Sequence, residues 1–537
     1  MSHHSRIKKL LIANRGEIAR RIIRACQGLE ITTVLVVSEA DSDSWAATEA
    51  DEVVVIGQGP ARDSYLNSER IVQEAVSRGC SAVHPGYGFL SEDPDFAQAV
   101  LDAGLIFVGS SPESIRALGV KTTARATVAA VGVPITPGTD GGLSDEGLVT
   151  AVDTIGFPVI IKAAAGGGGR GMRIVRSRQE LEAALPLARD EAQKNFGSSD
   201  VYLERFVERP RHVEVQLFGD TQGAVIHFGT RDCSSQRRHQ KLLEEAPAPF
   251  LSDETREKIH QAAVAAAQSV GYYNAGTAEF LVQGEEFFFL EINTRIQVEH
   301  PATEMITGVD LVKLQLHVAM GEALPIKQEN VVFSGHSIEL RINAEDTREG
   351  FRPSLGTITA WSRPEKIPMR EECGYRVGDS IPPFYDSLIS KVLVHAPTRR
   401  DALFQAFQIV KQYAIEGVPT TIPFHAWILA NRDFQQNGID IGYVERHFTL
   451  EEVERAEALL FVDPAHQSAT MYSAPSEELV EDVATLPHSA VRLKIVHEPG
   501  GTFLGVPLDQ SGNPLDTSTW RRSNVRDALL HGWSDER

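Results

Sequence analysis

Between Thr277 and His300 the chain reads Thr-Ala-Glu-Phe-Leu-Val-Gln-Gly-Glu-Glu-Phe-Phe-Phe-Leu-Glu-Ile-Asn-Thr-Arg-Ile-Gln-Val-Glu-His, and no other stretch constrains the fold as tightly. Two apolar runs flank Gln283-Gly284-Glu285-Glu286, the pattern of a β-hairpin. With the turn centred near Glu285, Glu279 on the first strand falls opposite Glu291 on the second. Directly opposed residues stand roughly 5 Å apart. At that spacing two carboxylates repel by about 3 kcal/mol at an effective dielectric of about 20, so the pair calls for a counter-cation. Side chains alternate faces along a strand. Glu291, Asn293, Arg295, Gln297 and Glu299 therefore share one face for as long as the chain stays extended. That face offers oxygen ligands for a hard metal, then a guanidinium, an amide and a further carboxylate. Any two of these alone would read as the solvated face of an edge strand. Five in register behind Phe-Phe-Phe-Leu read as the wall of an active site.

A chain of 537 residues exceeds what one core holds, and three or four domains are expected. The net charge of −21 and the acidic pI near 5.3 argue against nucleic acid or an anionic membrane as partner. No apolar run approaches a membrane span. Met1–Arg6 leads into a short strand rather than the apolar core of a signal peptide, and His3 and His4 are too few for a metal tract. Cys26, Cys80, Cys233 and Cys373 have no paired spacing, so neither a zinc site nor a disulfide framework is expected. A cytoplasmic protein with reduced thiols is the expectation.

The first third has a β/α rhythm. Strand-like runs at Leu10–Ala13, Thr33–Val37, Glu52–Ile56, Ser81–His84 and Leu105–Val108 are separated by helical or loop segments. The first helix carries Ile18, Ile22, Ile23 and Cys26 on its apolar side. Strands alternating with helices predict a parallel, doubly wound sheet. The turn Asn14-Arg15-Gly16-Glu17 lacks the G-x-G-x-x-G fingerprint, which argues against a dinucleotide enzyme. His84-Pro-Gly-Tyr-Gly-Phe-Leu-Ser-Glu92 follows a strand end, where such sheets bind ligands, and points to Tyr87 and Glu92.

Farther on, Phe157-Pro-Val-Ile-Ile-Lys162 runs into a glycine loop, Gly166-Gly167-Gly168-Gly169-Arg170-Gly171. Glycines let backbone N–H groups converge on phosphate oxygens. The spacing is not that of a Walker A loop. Four glycines alone would also suit a flexible linker; the lysine-bearing strand before and Arg173-Ile-Val175 after favour a phosphate-covering flap. His212, Glu214 and Gln216 alternate with apolar residues on one strand, and Arg231–Lys241 is a basic run suited to a small anion or nucleotide. Alternatively, Arg237 and Arg238 pair with Glu244 and Glu245 on the surface. From about Val332 the pattern turns to antiparallel β with helices, and Arg341 on its own reads as a salt bridge.

Taken together, Ile-Ala-Asn14-Arg-Gly-Glu-Ile-Ala, His84-Pro-Gly-Tyr-Gly-Phe-Leu-Ser-Glu, Gly166-Gly-Gly-Gly-Arg-Gly-Met, Arg231-Asp-Cys-Ser-x-Gln-Arg-Arg-His-Gln-Lys241, Glu291-x-Asn-x-Arg-x-Gln-Val-Glu-His-Pro and Arg341-Ile-Asn-Ala-Glu-Asp give Lys8–Phe448 a resemblance to biotin carboxylase, the ATP-grasp component of biotin-dependent carboxylases. The resemblance implies an α/β chain in four parts: a Rossmann-like domain over 1–117, an ATP-grasp domain over 118–330 with a mobile lid at about 136–205, a mixed α+β domain over 331–449, and an extension over 450–537. It implies that Lys121, Lys162, Gly166–Gly169 and His239 hold ATP phosphates. Glu204, Val207, His212, Gln236, Leu281 and Val418 would line the adenine and ribose pocket, and Glu279, Glu291 and Asn293 would bind one or two Mg²⁺ (or Mn²⁺). Lys241, Arg295, Gln297 and Val298 would hold bicarbonate and Glu299 would deprotonate it. Arg341 would stabilise the biotin enolate, with Tyr87 near the ureido ring. The family tends to dimerise, and Arg21, Arg24 and Arg370 fall where they would contribute.

Past Phe448 the chain departs from this pattern. An acidic stretch, Glu451 to Asp482, reads as a helix followed by a linker, and Ala490–Val496 and Thr502–Val506 read as strands able to pair. A biotin carrier presents a lysine between two methionines; none of the six methionines neighbours a lysine. Biotin is therefore expected on a separate carrier protein, with a separate carboxyltransferase subunit that serves acetyl-CoA, propionyl-CoA, pyruvate or a similar acceptor. The alternatives are another ATP-grasp carboxylate ligase and a non-catalytic nucleotide-binding subunit.

Overall fold

The computed structural model describes residues 7–164, 172–436 and 438–460, together with the strands Val483–Thr485, Arg492–His497 and Phe503–Leu508. The glycine loop at 166–169 lies outside the described residues. The chain divides into two compact units, Met1–Leu460 and Phe461–Arg537.

Near the N-terminus, strands β1 (Lys9–Ile12), β2 (Thr32–Ser38), β3 (Glu52–Gly57), β4 (Ala82–His84) and β5 (Ile106–Phe107) form a parallel sheet in the order β3-β2-β1-β4-β5. This is the doubly wound arrangement expected from the β/α rhythm. Alternate residues feed opposite cores. Leu10, Ile12, Leu35 and Val37 join Ile18, Ile22, Ile23 and Cys26 of α1 (Gly16–Gln27). Leu11, Val34 and Val36 meet Ile71, Phe96 and Val100 on the other face. The last predicted strand shrinks to two residues.

A smaller antiparallel sheet of β6 (Val159–Ala163), β7 (Arg173–Val175) and β8 (Val201–Arg205), in the order β7-β6-β8, has its own core with the helices Asp145–Ile155 and Arg178–Phe196.

Eight antiparallel strands make the largest sheet. They are β13 (Glu286–Asn293), β12 (Asn274–Gln283), β9 (Arg211–Gly219), β10 (Val225–Arg237), β11 (Gln240–Ala246), β14 (His336–Asn343), then Leu388–Ala396 and Arg370–Cys373, in that spatial order. Its ladder runs unbroken from β11 to β14, Leu243 opposite Leu340 and Glu244 opposite Glu339. Residues before and after position 330 thus belong to one sheet. Ile338, Leu340 and Ile342 point to the core shared with the helices Arg399–Val410 and Ile422–Ala430; Glu339 and Arg341 point the other way. The acidic segment after Phe448 begins with the predicted helix, Leu450–Leu460.

In the second unit Val483–Thr485, Arg492–His497 and Phe503–Leu508 form a three-stranded antiparallel sheet, so the two strands expected there do pair.

Candidate active site

Four charged residues lie in register across the large sheet: Glu291 on β13, Glu279 on β12, Glu214 on β9 and Arg231 on β10. Glu279 does stand opposite Glu291, but through a bulge. The hairpin closes with Gln283 opposite Glu286 and keeps that register to Phe280 opposite Phe289; it then shifts by one, leaving Leu290 as the extra residue. Without the bulge Glu279 would face Leu290, and every later side chain of β13 would turn to the other face.

The counter-charge demanded by the acid pair comes from protein side chains. Lys241 Nζ lies 2.9 Å from Glu279 and His212 Nε2 3.1 Å from it, while Lys121 Nζ lies 3.1 Å from Glu291. Burial pushes the Glu279 carboxyl up, but Lys241 and His212 outweigh it and hold it below the usual carboxylate range. Lys241 also donates to Glu214 at 2.6 Å and to Glu299 at 2.7 Å, so one partly buried ammonium serves three carboxylates.

Beyond Asn293 the strand ends, yet the alternate side chains still converge because Arg295 ties the curled chain together. It donates to Asn293 at 3.1 Å, to Gln297 at 2.9 Å and to Glu92 at 3.0 Å. Gln297 in turn donates to Glu279 at 3.0 Å. Val298 offers its carbonyl oxygen to Lys391 Nζ at 2.8 Å. Glu299 is fully buried and meets Arg341 Nη2 at 2.7 Å. Its burial favours the neutral acid; Lys241, Arg341 and Arg231 together overcome that and hold it well below the usual range.

Of the expected nucleotide residues, His212 and Gln236 are in contact (3.2 Å) and Leu281 is the cross-strand neighbour of His212. Lys162 and Glu204, from β6 and β8, pair at 2.8 Å, with Thr136 donating to Glu204 at 2.7 Å. Val207 is buried just after β8, and Val418 packs in the core with Ile358 and Ile422. His239 is exposed. With Arg238 it forms the two-residue turn between β10 and β11, both at positive φ, 64° and 48°.

Glu279, Glu291 and Asn293 form an oxygen donor set suited to Mg²⁺. Asn293 Nδ2 stands 2.9 Å from Glu279, and Glu291 sits half-exposed on the edge strand, open to an incoming ion. The residues present fit such a metal.

Tyr87 donates to Glu17, and Glu17 pairs with the fully buried Lys391 at 3.0 Å. Neither Glu17 nor Lys391 stood out in the sequence. Their signals were a lysine inside Leu388-Ile-Ser-Lys-Val-Leu-Val and an acid between Gly16 and Ile18. The surface pairing of Arg237 and Arg238 with Glu244 and Glu245 does not occur. Glu244 pairs with Arg341, Glu245 with His336 and Arg399, and Arg237 lies over the Phe351 ring at 5.0 Å. Away from this centre Arg21, Arg24, Arg370, Glu304 and Glu372 line a surface cleft and pair with one another at 2.8–3.1 Å. Among the described residues no helix is long and apolar enough to cross a membrane.

Comparison with known proteins agrees with this geometry along the chain. Residues 6–115 match the biotin carboxylase N-terminal domain, 120–327 the ATP-binding domain of the carbamoyl-phosphate synthase L chain, and 339–446 the biotin carboxylase C-terminal domain. A biotin carboxylase of Nostoc sp. is 49% identical over 440 residues, which is 81% of this chain and 98% of that protein. A pyruvate carboxylase component from Methanothermobacter thermautotrophicus is 47% identical over 82% of this chain and 90% of its own length. The biotin carboxylase domain dimer of Hydrogenobacter thermophilus 2-oxoglutarate carboxylase, solved with MgADP, ADP and bicarbonate, superposes with a TM-score of 0.79 at 46% identity, covering 83% of this chain and 99% of that one. A row of carboxylates across the large sheet thus coincides with extensive identity along the chain, and the chain belongs to the biotin carboxylase family.

Proposed function

We propose that this chain uses ATP to carboxylate biotin with bicarbonate, and that the residues around Glu299 perform the chemistry. The observation that carries the reading is one ammonium, Lys241, shared by Glu214, Glu279 and Glu299 beside Arg295 and Arg341. Such a cluster can bind a small anion and move a proton within one site.

In this reading Lys121, Lys162, His239 and the loop Gly166–Gly169 hold the phosphates of ATP. Glu204, Val207, His212, Gln236, Leu281 and Val418 surround its adenosine. Glu279, Glu291 and Asn293 hold Mg²⁺, which when bound offsets the charge of the transferring phosphoryl group. Lys241, Arg295, Gln297 and the backbone at Val298 take bicarbonate.

Lys241 and Arg341 keep Glu299 ionised in the free chain. As bicarbonate draws Lys241 and Arg295 toward itself, Glu299 loses charge partners and its proton affinity rises. It then takes the bicarbonate proton while a bicarbonate oxygen attacks the γ-phosphorus, releasing ADP and forming carboxyphosphate. Carboxyphosphate breaks to CO₂ and phosphate, phosphate takes the ureido N–H proton, and the biotin enolate attacks CO₂. Arg341 meets the negative charge on the ureido oxygen, and Tyr87 borders the ring. Closing the site excludes water that would hydrolyse carboxyphosphate.

The biotin would arrive on a separate carrier protein, and a carboxyltransferase subunit would pass the carboxyl group to an acyl-CoA or a 2-oxo acid. Relatives named as pyruvate and 2-oxoglutarate carboxylase components support that range. The cleft of Arg21, Arg24 and Arg370 would lie in a homodimer contact, as the dimeric relative suggests. The four buried free thiols support a cytoplasmic setting. The test is ATP cleavage by the purified chain. Stimulation requiring bicarbonate and free biotin together supports the reading; cleavage indifferent to both, or dependent on an amine, removes it.

A further inference from the structure

Behind Arg341 lies a second pair of acids that the mechanism above leaves unused. Glu244 on β11 and Glu339 on β14 stand directly opposite each other in the ladder. Both are fully buried, and none of their four carboxylate oxygens accepts a hydrogen bond. Glu244 lies 2.5 Å from Arg341 Nη2, an ion pair without hydrogen-bond geometry. The same Nη2 reaches Glu299 at 2.7 Å, while the buried Nε of Arg341 has no partner.

Two ionised carboxylates cannot be housed cheaply here. Opposed residues on neighbouring strands stand roughly 5 Å apart, and their repulsion is stronger where both are fully buried in a low-dielectric interior. When two carboxylates share such a site, one of them keeps a proton.

The charges that face the pair do not remove this cost. Arg341 on β14 is divided between Glu244 and Glu299, and Lys241 on β11 is committed to Glu214, Glu279 and Glu299. On the adjoining strand Lys391 pairs with Glu17. From β10 Arg231 is held by Glu214, and Cys233 stays a neutral thiol because burial pushes its pKa well up. On the helix His300–Thr307, packed across this face, His300 is kept neutral by burial and Glu304 is paired with Arg21 and Arg370.

We propose that Glu244 and Glu339 share a single proton and act as a positioning pair behind Arg341. One carboxylate charge is thereby withheld from the guanidinium, which stays able to meet the anion forming on its substrate. The electrostatics agree. Burial pushes Glu244 up to about 7, only partly opposed by Arg341, and pushes Glu339 well above the usual range. As pH rises through neutrality the pair loses its proton, a second negative charge appears beside Arg341, and biotin-dependent turnover falls.

The role of Arg341 in this inference rests on the proposed function; the shared proton does not. The test therefore has two arms on the full chain. In the first, infrared spectra of the ligand-free wild type and of a Glu244→Gln/Glu339→Gln double variant are subtracted near pH 6.5. The expected difference is a buried carboxylic-acid C=O band present only in the wild type and fading as pH rises. If no acid band is lost in the double variant, the shared proton is disproved, whatever the protein catalyses. In the second arm, pH profiles of turnover with free biotin are measured for the wild type and each single Gln variant, each scaled to its own maximum. The alkaline fall caused by the pair should be lost in Glu339→Gln and Glu244→Gln, whose neutral amides mimic the protonated acid and leave no second charge to appear. Superimposable profiles with the band present would overturn the positioning role. A wild type with the band but no biotin-dependent turnover would sink the functional reading instead and leave the proton in place.

Discussion

The ammonium of Lys391, with no exposed surface, donates across 2.8 Å to the carbonyl oxygen of Val298. The contact pins the segment that carries Gln297 and Glu299 to the strand Leu388–Ala396, and through Glu17 it reaches Tyr87. A lysine there acts on the segment proposed to take bicarbonate without itself entering the proposed chemistry.

Lys391→Met is expected to leave Glu17 buried without its cation. Breaking a buried pair in this way costs about 3–5 kcal/mol, which a denaturant titration of the variant would read directly. Bicarbonate-dependent ATP cleavage should fall as well, because the Val298 carbonyl loses its anchor. Wild-type stability together with wild-type turnover would show that the contact is dispensable.

Glu299→Gln keeps the size of the side chain but removes the carboxylate proposed to accept the bicarbonate proton. Bicarbonate-dependent phosphate release should drop by at least about a hundredfold, the usual scale for removing a general base. ATP affinity measured by calorimetry should change little. Wild-type turnover in this variant would exclude Glu299 as the base.

Gly138 lies against β8, and a Cβ built on it would stand 2.5 Å from the Leu203 carbonyl oxygen and 3.2 Å from Glu204 Cγ. Backbone cannot yield as a flexible side chain can, so Gly138→Ala should displace Glu204 from Lys162 and Thr136. ATP binding should weaken by roughly tenfold, about 1.4 kcal/mol, with the bicarbonate dependence of the remaining activity unchanged. Unaltered affinity in a titration of the variant with ATP would separate Glu204 from the nucleotide site.

Glu245 links β11 to His336 at 2.8 Å and to Arg399 at 2.6 Å. Burial raises its carboxyl, but His336 and Arg399 prevail and bring it down to about 2. A depressed carboxyl stabilises the fold above its unfolded pKa of about 4.3 and loses that contribution as pH falls through the folded value. The loss amounts to about 3 kcal/mol between roughly pH 5 and pH 2. Glu245→Gln should flatten the fall in unfolding free energy over that window. An unchanged slope in acid denaturation would rule out this group as a source of acid lability.

Much of the candidate site was legible because local rules settle it. The alternation of Glu291 and Asn293, the turn at Gly284-Glu285 and the apolar Phe287–Leu290 run specify a hairpin whatever surrounds it. The β/α rhythm of the first hundred residues specifies a parallel sheet for the same reason. The bulge at Leu290 was not legible, since one extra residue in a strand leaves no mark on composition. Nor were the partners of Lys241, Arg341 and Glu244, which lie 27 to 97 positions away in the chain. The alternative reading, with Arg237 and Arg238 as surface partners of Glu244 and Glu245, fails because proximity in sequence is not proximity in space.

Residue order alone settled which strands and helices form, which residue types face together within each strand, and, through its long motifs, the family. Which acid meets which cation was settled only when strands from distant parts of the chain were laid side by side in one sheet. The physical reason is range. Backbone geometry and side-chain alternation act over a few residues, whereas Coulomb attraction acts through space and depends on burial, and burial exists only once the tertiary structure has closed.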